Sequence, residues 1–149
     1  RARRRQSMIA VLLVDLDGFK PINDLHGHGC GDAVLRAVAG RMRGVVRESD
    51  TVARHGGDEF VILLDDLRDP ADCATVAAKL LQAQREPLVA GEVALTVTLS
   101  IGSAVFPRDG EDAAGLLGSA DRAMYAAKRS GRNAWRRAGD DAEAPQSGA

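Results

Sequence analysis

No stretch of this sequence approaches the roughly 20 consecutive apolar residues that a membrane-spanning helix needs. The apolar run at residues 8–14 (MIAVLLV) is too short to cross a bilayer, and the basic residues 1–5 before it make neither a signal nor an anchor. An excess of one charge is also missing. The 20 Lys and Arg stand against 21 Asp and Glu, which leaves no global field to favour nucleic acid or a membrane surface as the main partner. Cysteine is scarce. Cys30 and Cys73 lie far apart, with no CxxC spacing and no Cys/His pairing suited to zinc, so both are expected as reduced thiols of a cytoplasmic protein. There is no internal repeat. A chain of 149 residues, 45% of them hydrophobic, holds one domain with a genuine core and has no room for a second. It opens without a methionine and closes in a polar, Gly/Ala/Asp/Glu-rich stretch, so we expect a piece of a longer protein with a disordered tail at 137–149.

What is present reads as alternating strands and helices. The run at 8–14, rich in Val, Ile and Leu, predicts a buried strand ending at Asp15. Asp32 can cap a helix whose apolar residues Val34, Leu35, Val38, Met42 and Val45 recur at three- and four-residue steps. Residues 51–54 and 60–64 form two short β-rich runs around Gly56-Gly57, the pattern of a hairpin. Asp69-Pro70 predicts the start of a helix running to about Arg85, with Cys73, Val76, Ala77, Leu80 and Gln84 on one side. Residues 93–101 alternate as one strand, continuing with a bend at Gly102 towards Phe106, and a last helix spans about 113–130 before Gly131. The order β-α-β-β-α-β predicts an α+β fold of the ferredoxin-like, palm type, an antiparallel sheet with helices on one face. In that arrangement the first and third strands are neighbours, which brings Asp15 and Asp58 to one place.

Two acidic clusters, Asp15-Leu16-Asp17 and Asp58-Glu59, therefore converge at the edge of an otherwise apolar sheet. Crowded carboxylates repel unless a cation neutralises them. Oxygen ligands with no His or Cys nearby favour Mg²⁺ or Mn²⁺ over zinc. Such a site suits phosphoryl or nucleotidyl transfer, since a metal bridges phosphate oxygens, lowers the pKa of an attacking hydroxyl and stabilises a leaving group. Gly56 and Gly57 let backbone approach a phosphate or sugar, while Lys20, Lys128 and Arg132 are candidates to hold triphosphate oxygens. Taken one at a time, each of these is an ordinary turn glycine, strand-end acid or helix-end cation; their joint placement makes the nucleotide site.

The segments Val14-Asp15-Leu16-Asp17-Gly18-Phe19-Lys20-Pro21-Ile22-Asn23-Asp24, Gly27-His28-Gly29-Cys30-Gly31-Asp32, Arg54-His55-Gly56-Gly57-Asp58-Glu59-Phe60, Ser100-Ile101-Gly102 and Ala120-Asp121-Arg122-Ala123-Met124-Tyr125-Ala126-Ala127-Lys128 together resemble the GGDEF-domain diguanylate cyclase family over residues 8–134. The resemblance implies that Asp15, the backbone carbonyl of Leu16 and Asp58 bind two Mg²⁺ or Mn²⁺ ions, with Glu59 as a further acid beside them. Either Asp58 or Glu59 accepts the proton of the attacking 3′-hydroxyl. Lys20 stabilises phosphate charge, Asn23 and Asp32 read guanine, and His28 and Phe19 lie close to the substrate. A carboxylate at Asp32 suits guanine, because it accepts from both N1–H and the exocyclic amine. The implied reaction joins two GTP into cyclic di-GMP with loss of two pyrophosphates, each domain of a homodimer holding one GTP.

Arg47-Glu48-Ser49-Asp50 stands where this family carries its RxxD inhibitory site, so the resemblance also implies cyclic di-GMP as product and inhibitor at Arg47 and Asp50. The plainer reading is that Arg47 ends a helix and Asp50 opens a turn. Family members usually enter through an Asp-x-Leu-Thr-Gly-Leu-x-Asn-Arg segment and a helix before the first strand, and this chain has neither. Residues 1–7 are accordingly expected as the remnant of a truncated leading helix and 8–136 as the catalytic domain, with a sensory domain upstream. A non-catalytic receptor for cyclic di-GMP or GTP is the rival reading, but it would have no chemical need for crowded carboxylates. A cyclase forming single-nucleotide cyclic products is a weaker rival, disfavoured by the paired guanine readers and the RxxD match.

Overall fold

The run at 8–14 shows no alternation because both faces of its strand are covered. The computed structural model describes residues 8–140. Its elements are β1 (Met8–Asp17), α1 (Phe19–His26), α2 (His28–Val45), β2 (Thr51–Gly56), β3 (Glu59–Leu67), α3 (Asp72–Ala83), β4 (Leu88–Ala90), β5 (Val93–Leu95), β6 (Thr98–Phe106), α4 (Ala113–Arg129) and β7 (Ala134–Arg137). β1 is the middle strand of a five-stranded sheet in the order β2-β3-β1-β6-β7. All its pairings are antiparallel except β6 with β7. Ala10, Leu12, Val14 and Leu16 face one side, where they join Val34, Val38 and Met42 of α2 and Ala77 and Leu80 of α3. Val11 and Leu13 face the other, against Leu116, Ala120 and Met124 of α4. Each large side chain buried this way contributes about 1.5–3 kcal/mol.

The α+β palm arrangement is as expected, with β1 and β3 adjacent, but the helices do not share a face. α2 and α3 cover one side and α4 the other, because β1 is apolar at both its odd and its even positions. The expected capping role of Asp32 is also corrected. α2 begins at His28 with Gly27 as its N-cap, so Asp32 is an exposed residue of the second turn. The Asp69 carboxylate takes the Ala71 N–H at 2.9 Å in the turn ahead of α3, which itself starts at Asp72. Arg41 closes the other end of α3 by donating to the carbonyls of Ala83, Glu86 and Pro87 at 3.1, 2.8 and 3.1 Å, groups a helix terminus otherwise leaves unpaired.

Residues 93–101 are not one strand. Val93–Leu95 pairs with Leu88–Ala90 in a separate two-stranded sheet, and the chain re-enters the main sheet at Thr98. The alternation survives the break because Leu95, Val97, Leu99 and Ile101 all pack on the α2/α3 core. Gly102 marks no bend. It lies within β6, and a Cβ there would stand 2.1 Å from the Met124 N and 2.2 Å from the Ala120 O of α4. Its bare Cα is what lets the helix backbone rest on the sheet. Arg137 closes β7, and the Ala138 N–H donates to Ser103 O at 2.7 Å. The expected helix remnant at 1–7, and residues 141–149 of the expected tail, lie outside the described residues. Both cysteines are free, and burial pushes the Cys73 thiol up to about 11, so it stays neutral.

A Gly102→Ala substitution drives a methyl group into helix backbone that cannot rotate away. We expect a loss of about 2–3 kcal/mol in urea unfolding, with Gly118→Ala, whose Cβ would meet only the end of the Arg122 side chain at 3.6 Å, nearly silent in the same assay.

Candidate active site

The register between β1 and β3 sets the site. Asp15 stands opposite Glu59, and the Leu16 N–H donates to Asp58 O at 3.2 Å. The two acidic segments, 43 positions apart, are thus backbone neighbours. Odd-numbered residues of β1 face α4, so the last turn of that helix brings Lys128 onto Asp15, whose Oδ2 it pairs with. Asp15 is buried, and its second oxygen, Oδ1, has no hydrogen-bond partner. Burial first, then the charge of Asp15, holds the Asp58 carboxyl above the ordinary aspartate value. Burial works against the Lys128 ammonium, but the hydrogen bond and charge of Asp15, reinforced by Asp58 and Glu59, outweigh it and hold the group above the usual lysine value.

Asp15, Asp58, Glu59 and Lys128 therefore form one cluster. The expectation that no histidine lies near is corrected: His55 Nδ1 is 2.6 Å from Glu59 Oε1. Asp17 is the acid whose position gives the wrong impression. Its carboxylate accepts from Thr98 Oγ1 and Ser100 Oγ, both at 2.7 Å, and from the Asn133 N–H at 3.0 Å. These partners come from β6 and from the turn after α4, and only the cross-strand register discloses them. A sign was present in the polar positions Thr98 and Ser100, which fall on one side of an alternating strand. Lys20 is exposed on α1, where it pairs with Asp24 at 3.3 Å rather than with the carboxylate cluster. Arg132 sits in the turn past α4 with a left-handed backbone, φ 65°.

The residues expected to meet the base gather around the α1–α2 junction. Asn23 Nδ2 lies 3.1 Å from His28 Nδ1. Asp32 follows His28 by four positions and so shares its helix face. Gly31 makes room between them: a Cβ there would stand 2.2 Å from Asn23 Oδ1 and 3.1 Å from the Phe19 ring. At the hairpin tip Gly57 has φ 50°, a backbone that favours glycine, and its carbonyl accepts from Arg54 Nε at 2.9 Å. A Cβ at Gly56 or Gly57 would meet nothing within 4 Å, so open space adjoins the acids.

Arg47 and Asp50 belong to a different place. Asp50 accepts the Arg47 N–H at 2.8 Å, the Arg47 guanidinium at 3.2 and 3.3 Å and the Asp65 N–H at 3.1 Å. Arg47 also donates to the Asp65 carbonyl. Asp65 is seven residues along β3 from Asp58, which puts this pair about 23 Å from the carboxylate cluster. A cavity of about 250 Å³, lined by Arg47, Asp50, Arg68 and Lys79 among others, opens beside it.

Among the described residues no three His, Cys, Asp or Glu side chains gather at metal-holding distance. The unpartnered Asp15 Oδ1 beside Asp58 nevertheless fits a hard cation. Mg²⁺ is commonly held by one or two carboxylates, with water and substrate phosphates completing its shell.

The sequence model described as "Diguanylate cyclase, GGDEF domain" matches residues 1–134. The chain is 47% identical over 135 residues to the bifunctional diguanylate cyclase/cyclic di-GMP phosphodiesterase MucR of Pseudomonas aeruginosa, covering 91% of this chain and 20% of MucR. It is 43% identical over 136 residues to the diguanylate cyclase TpbB of the same organism, covering 91% of this chain and 31% of TpbB. The chain thus spans under a third of the length of these curated relatives. The crystal structure of the TpbB GGDEF domain superposes with a TM-score of 0.89, covering 92% of this chain and 86% of that one at 43% identity. The GGDEF domain of DgcB from Caulobacter crescentus, in complex with c-di-GMP, gives 0.78 at 33% identity, with 92% and 81% covered.

The raised Asp58 value has a sign for stability. A carboxyl raised on folding is most tolerable when protonated, so its contribution is best below the ordinary value of 3.8 and is lost as pH rises through the folded value. We expect Asp58→Asn to raise the urea midpoint at neutral pH, with the gain vanishing below the ordinary aspartate range. A midpoint unchanged at neutral pH would contradict the crowding.

Proposed function

The chain belongs to the diguanylate cyclase GGDEF-domain family, and from that membership we propose that it condenses two GTP into cyclic di-GMP with release of two pyrophosphates. The observation that carries this reading is the unpartnered, buried Asp15 Oδ1 beside Asp58 and under Lys128. Asp15, Asp58, Glu59 and the Leu16 carbonyl would hold Mg²⁺ or Mn²⁺, two ions per site. Such ions supply charge neutralisation on the phosphates and a lowered pKa for the attacking 3′-hydroxyl. Asp58 or Glu59 takes the hydroxyl proton, and the His55 contact bears on the choice because it engages one oxygen of Glu59. Lys128 and Arg132 draw the triphosphate towards the acids, Lys20 stabilises charge developing on it, and Gly56 and Gly57 leave the sugar-phosphate room.

Asn23, His28 and Asp32 read the guanine beside Phe19. With Asp32 inside α2, no capping duty competes with that role. Residues 8–136, with the end of β7, form the catalytic unit. One such unit binds one GTP, so closure of a two-fold symmetric product takes two units in a homodimer. The relatives' greater length supports a unit that works within a longer protein, and our reading places that unit in the cytoplasm under an upstream sensory domain. Product inhibition at Arg47 and Asp50 would act at a distance, since β3 separates that pair from the acids, and a bound product would compete for an arginine already engaged by Asp50 and Asp65.

The decisive experiment is incubation of the chain with GTP and Mg²⁺, with products separated by chromatography. Cyclic di-GMP is expected; its absence at concentrations where the chain is dimeric would sink the enzyme reading. Asp58→Asn should cost about 100-fold or more in rate, and Asp32→Ala should reduce the preference for GTP over ATP by about tenfold or more. In the same assay Arg47→Ala should leave the initial rate intact and abolish slowing by added cyclic di-GMP. Slowing that persists in Arg47→Ala would remove the inhibitory role.

A further inference from the structure

We propose that Asp17 is a positioning residue of the nucleotide site: its carboxylate clasps the turn after α4 and so fixes Lys128 and Arg132 relative to Asp15 and Asp58, with no metal bond of its own. The inference rests on the triphosphate role given above to those two cations. Asp17 is two residues from Asp15 on the same face of β1, and charge pattern alone would make it a second metal ligand. Its oxygens are already committed. Oδ1 accepts from Ser100 Oγ at 2.7 Å, and Oδ2 accepts from Thr98 Oγ1 at 2.7 Å and the Asn133 N–H at 3.0 Å.

The turn so held is one that would not hold itself. Arg132 and Asn133 are successive non-glycine residues with φ 65° and 48°, a conformation that L residues keep only where the surroundings impose it. The N–H groups of both residues are tied down: Arg132 donates to Ala127 O at 3.1 Å, and Asn133 donates to the Asp17 carboxylate. The next residue, Ala134, enters β7 opposite Ser100. Asp17 therefore ties the end of β1, the start of β6 and the α4–β7 junction at one point, with Lys128 and Arg132 both within five residues of the clasped amide. Without the carboxylate, the Asn133 N–H loses its acceptor and the turn loses its tie to β1.

The clasp and a metal bond respond differently to asparagine. Serine and threonine hydroxyls both donate and accept, so an amide at position 17 can take Thr98 and Asn133 on its oxygen and donate to Ser100, whereas a metal ligand would lose its charge. The test measures binding of GTP and of guanosine by calorimetry, Mn²⁺ binding, and hydrogen exchange at the Asn133 amide. Asp17→Ala should weaken GTP binding about tenfold or more, leave guanosine binding within about twofold, and speed Asn133 exchange; Asp17→Asn should restore all three to within about threefold of the unsubstituted chain. Asparagine as damaging as alanine, with Mn²⁺ binding lost in both, would make Asp17 a metal ligand and overturn the proposal. Unchanged GTP affinity and unchanged Asn133 exchange in Asp17→Ala would overturn it as well. Should Asp17→Ala fail to fold by circular dichroism, Thr98→Val removes one of the three bonds and should give a smaller loss in the same direction, no loss overturning the clasp. If the unsubstituted chain bound no GTP, the nucleotide reading would fall, while the exchange measurement would still decide whether the clasp exists.

Discussion

The pairing of Asp15 with Glu59 across β1 and β3 is the constraint on which the rest depends. A slip of one residue would turn Asp15 from the α4 side to the α2/α3 core, since side chains alternate strictly along a strand. It would also separate the Leu16 N–H from Asp58 O and carry Lys128's partner to the wrong face. What resists the slip is burial on both sides. Leu12 and Val14 are sized for one core and Val11 and Leu13 for the other, and the same strand is locked to β6 over nine consecutive pairs. The hydrophobic core is thus also the device that aims the acids.

The acids repel one another, and α4 offsets part of that cost. Its approach to the sheet is possible because Gly102 has no side chain, and the approach ends with Lys128 on Asp15. Packing in the middle of the helix therefore sets electrostatics at its C-terminal end. Ala120 and Met124, against Gly102, sit two turns and one turn before Lys128 on the same face. Loss of that contact would be felt at the carboxylates without any change in their chemistry.

β1, the middle of α2, β3, α3 and α4 were legible because each carries a long apolar run or face, and the hairpin because Gly56-Gly57 marks its turn. α1 escaped because it is only eight residues long and none of its residues is fully buried, Phe19 and Ile22 merely flanking the core. β4 and β7, three and four residues long, are too brief to show one, and β5 was hidden inside an alternation that continues into β6. Asp15 and Asp58 were legible because they end or flank apolar runs, where a carboxylate has no packing reason to be, whereas Asn23, His28 and Asp32 were marked only by the family resemblance. The bonds of Asp17 were not, because they depend on which residue faces which across strands distant in the chain, and the His55–Glu59 contact depends on the register at the hairpin tip. The Arg47–Asp50 pair was legible as a motif but not as a location. Nine positions before the hairpin glycines is close in sequence, yet a full strand's length away in the fold.

Asp15 and Asp17 are the same residue type, on the same face of one strand, and yet do different work. Their partners on β6 decide it. Thr98 stands opposite Asp17 and Ser100 opposite Asp15, which would give each acid one hydroxyl. The Ser100 hydroxyl instead donates to Asp17. That single choice saturates one carboxylate and leaves Oδ1 of the other buried and unpaired, an arrangement that costs stability unless something positively charged completes it. The unfavourable oxygen is the one the proposed chemistry requires. A second hydroxyl turned to Asp15 would ease the fold and dull the site, so the local energetic defect and the capacity to hold a cation are one feature.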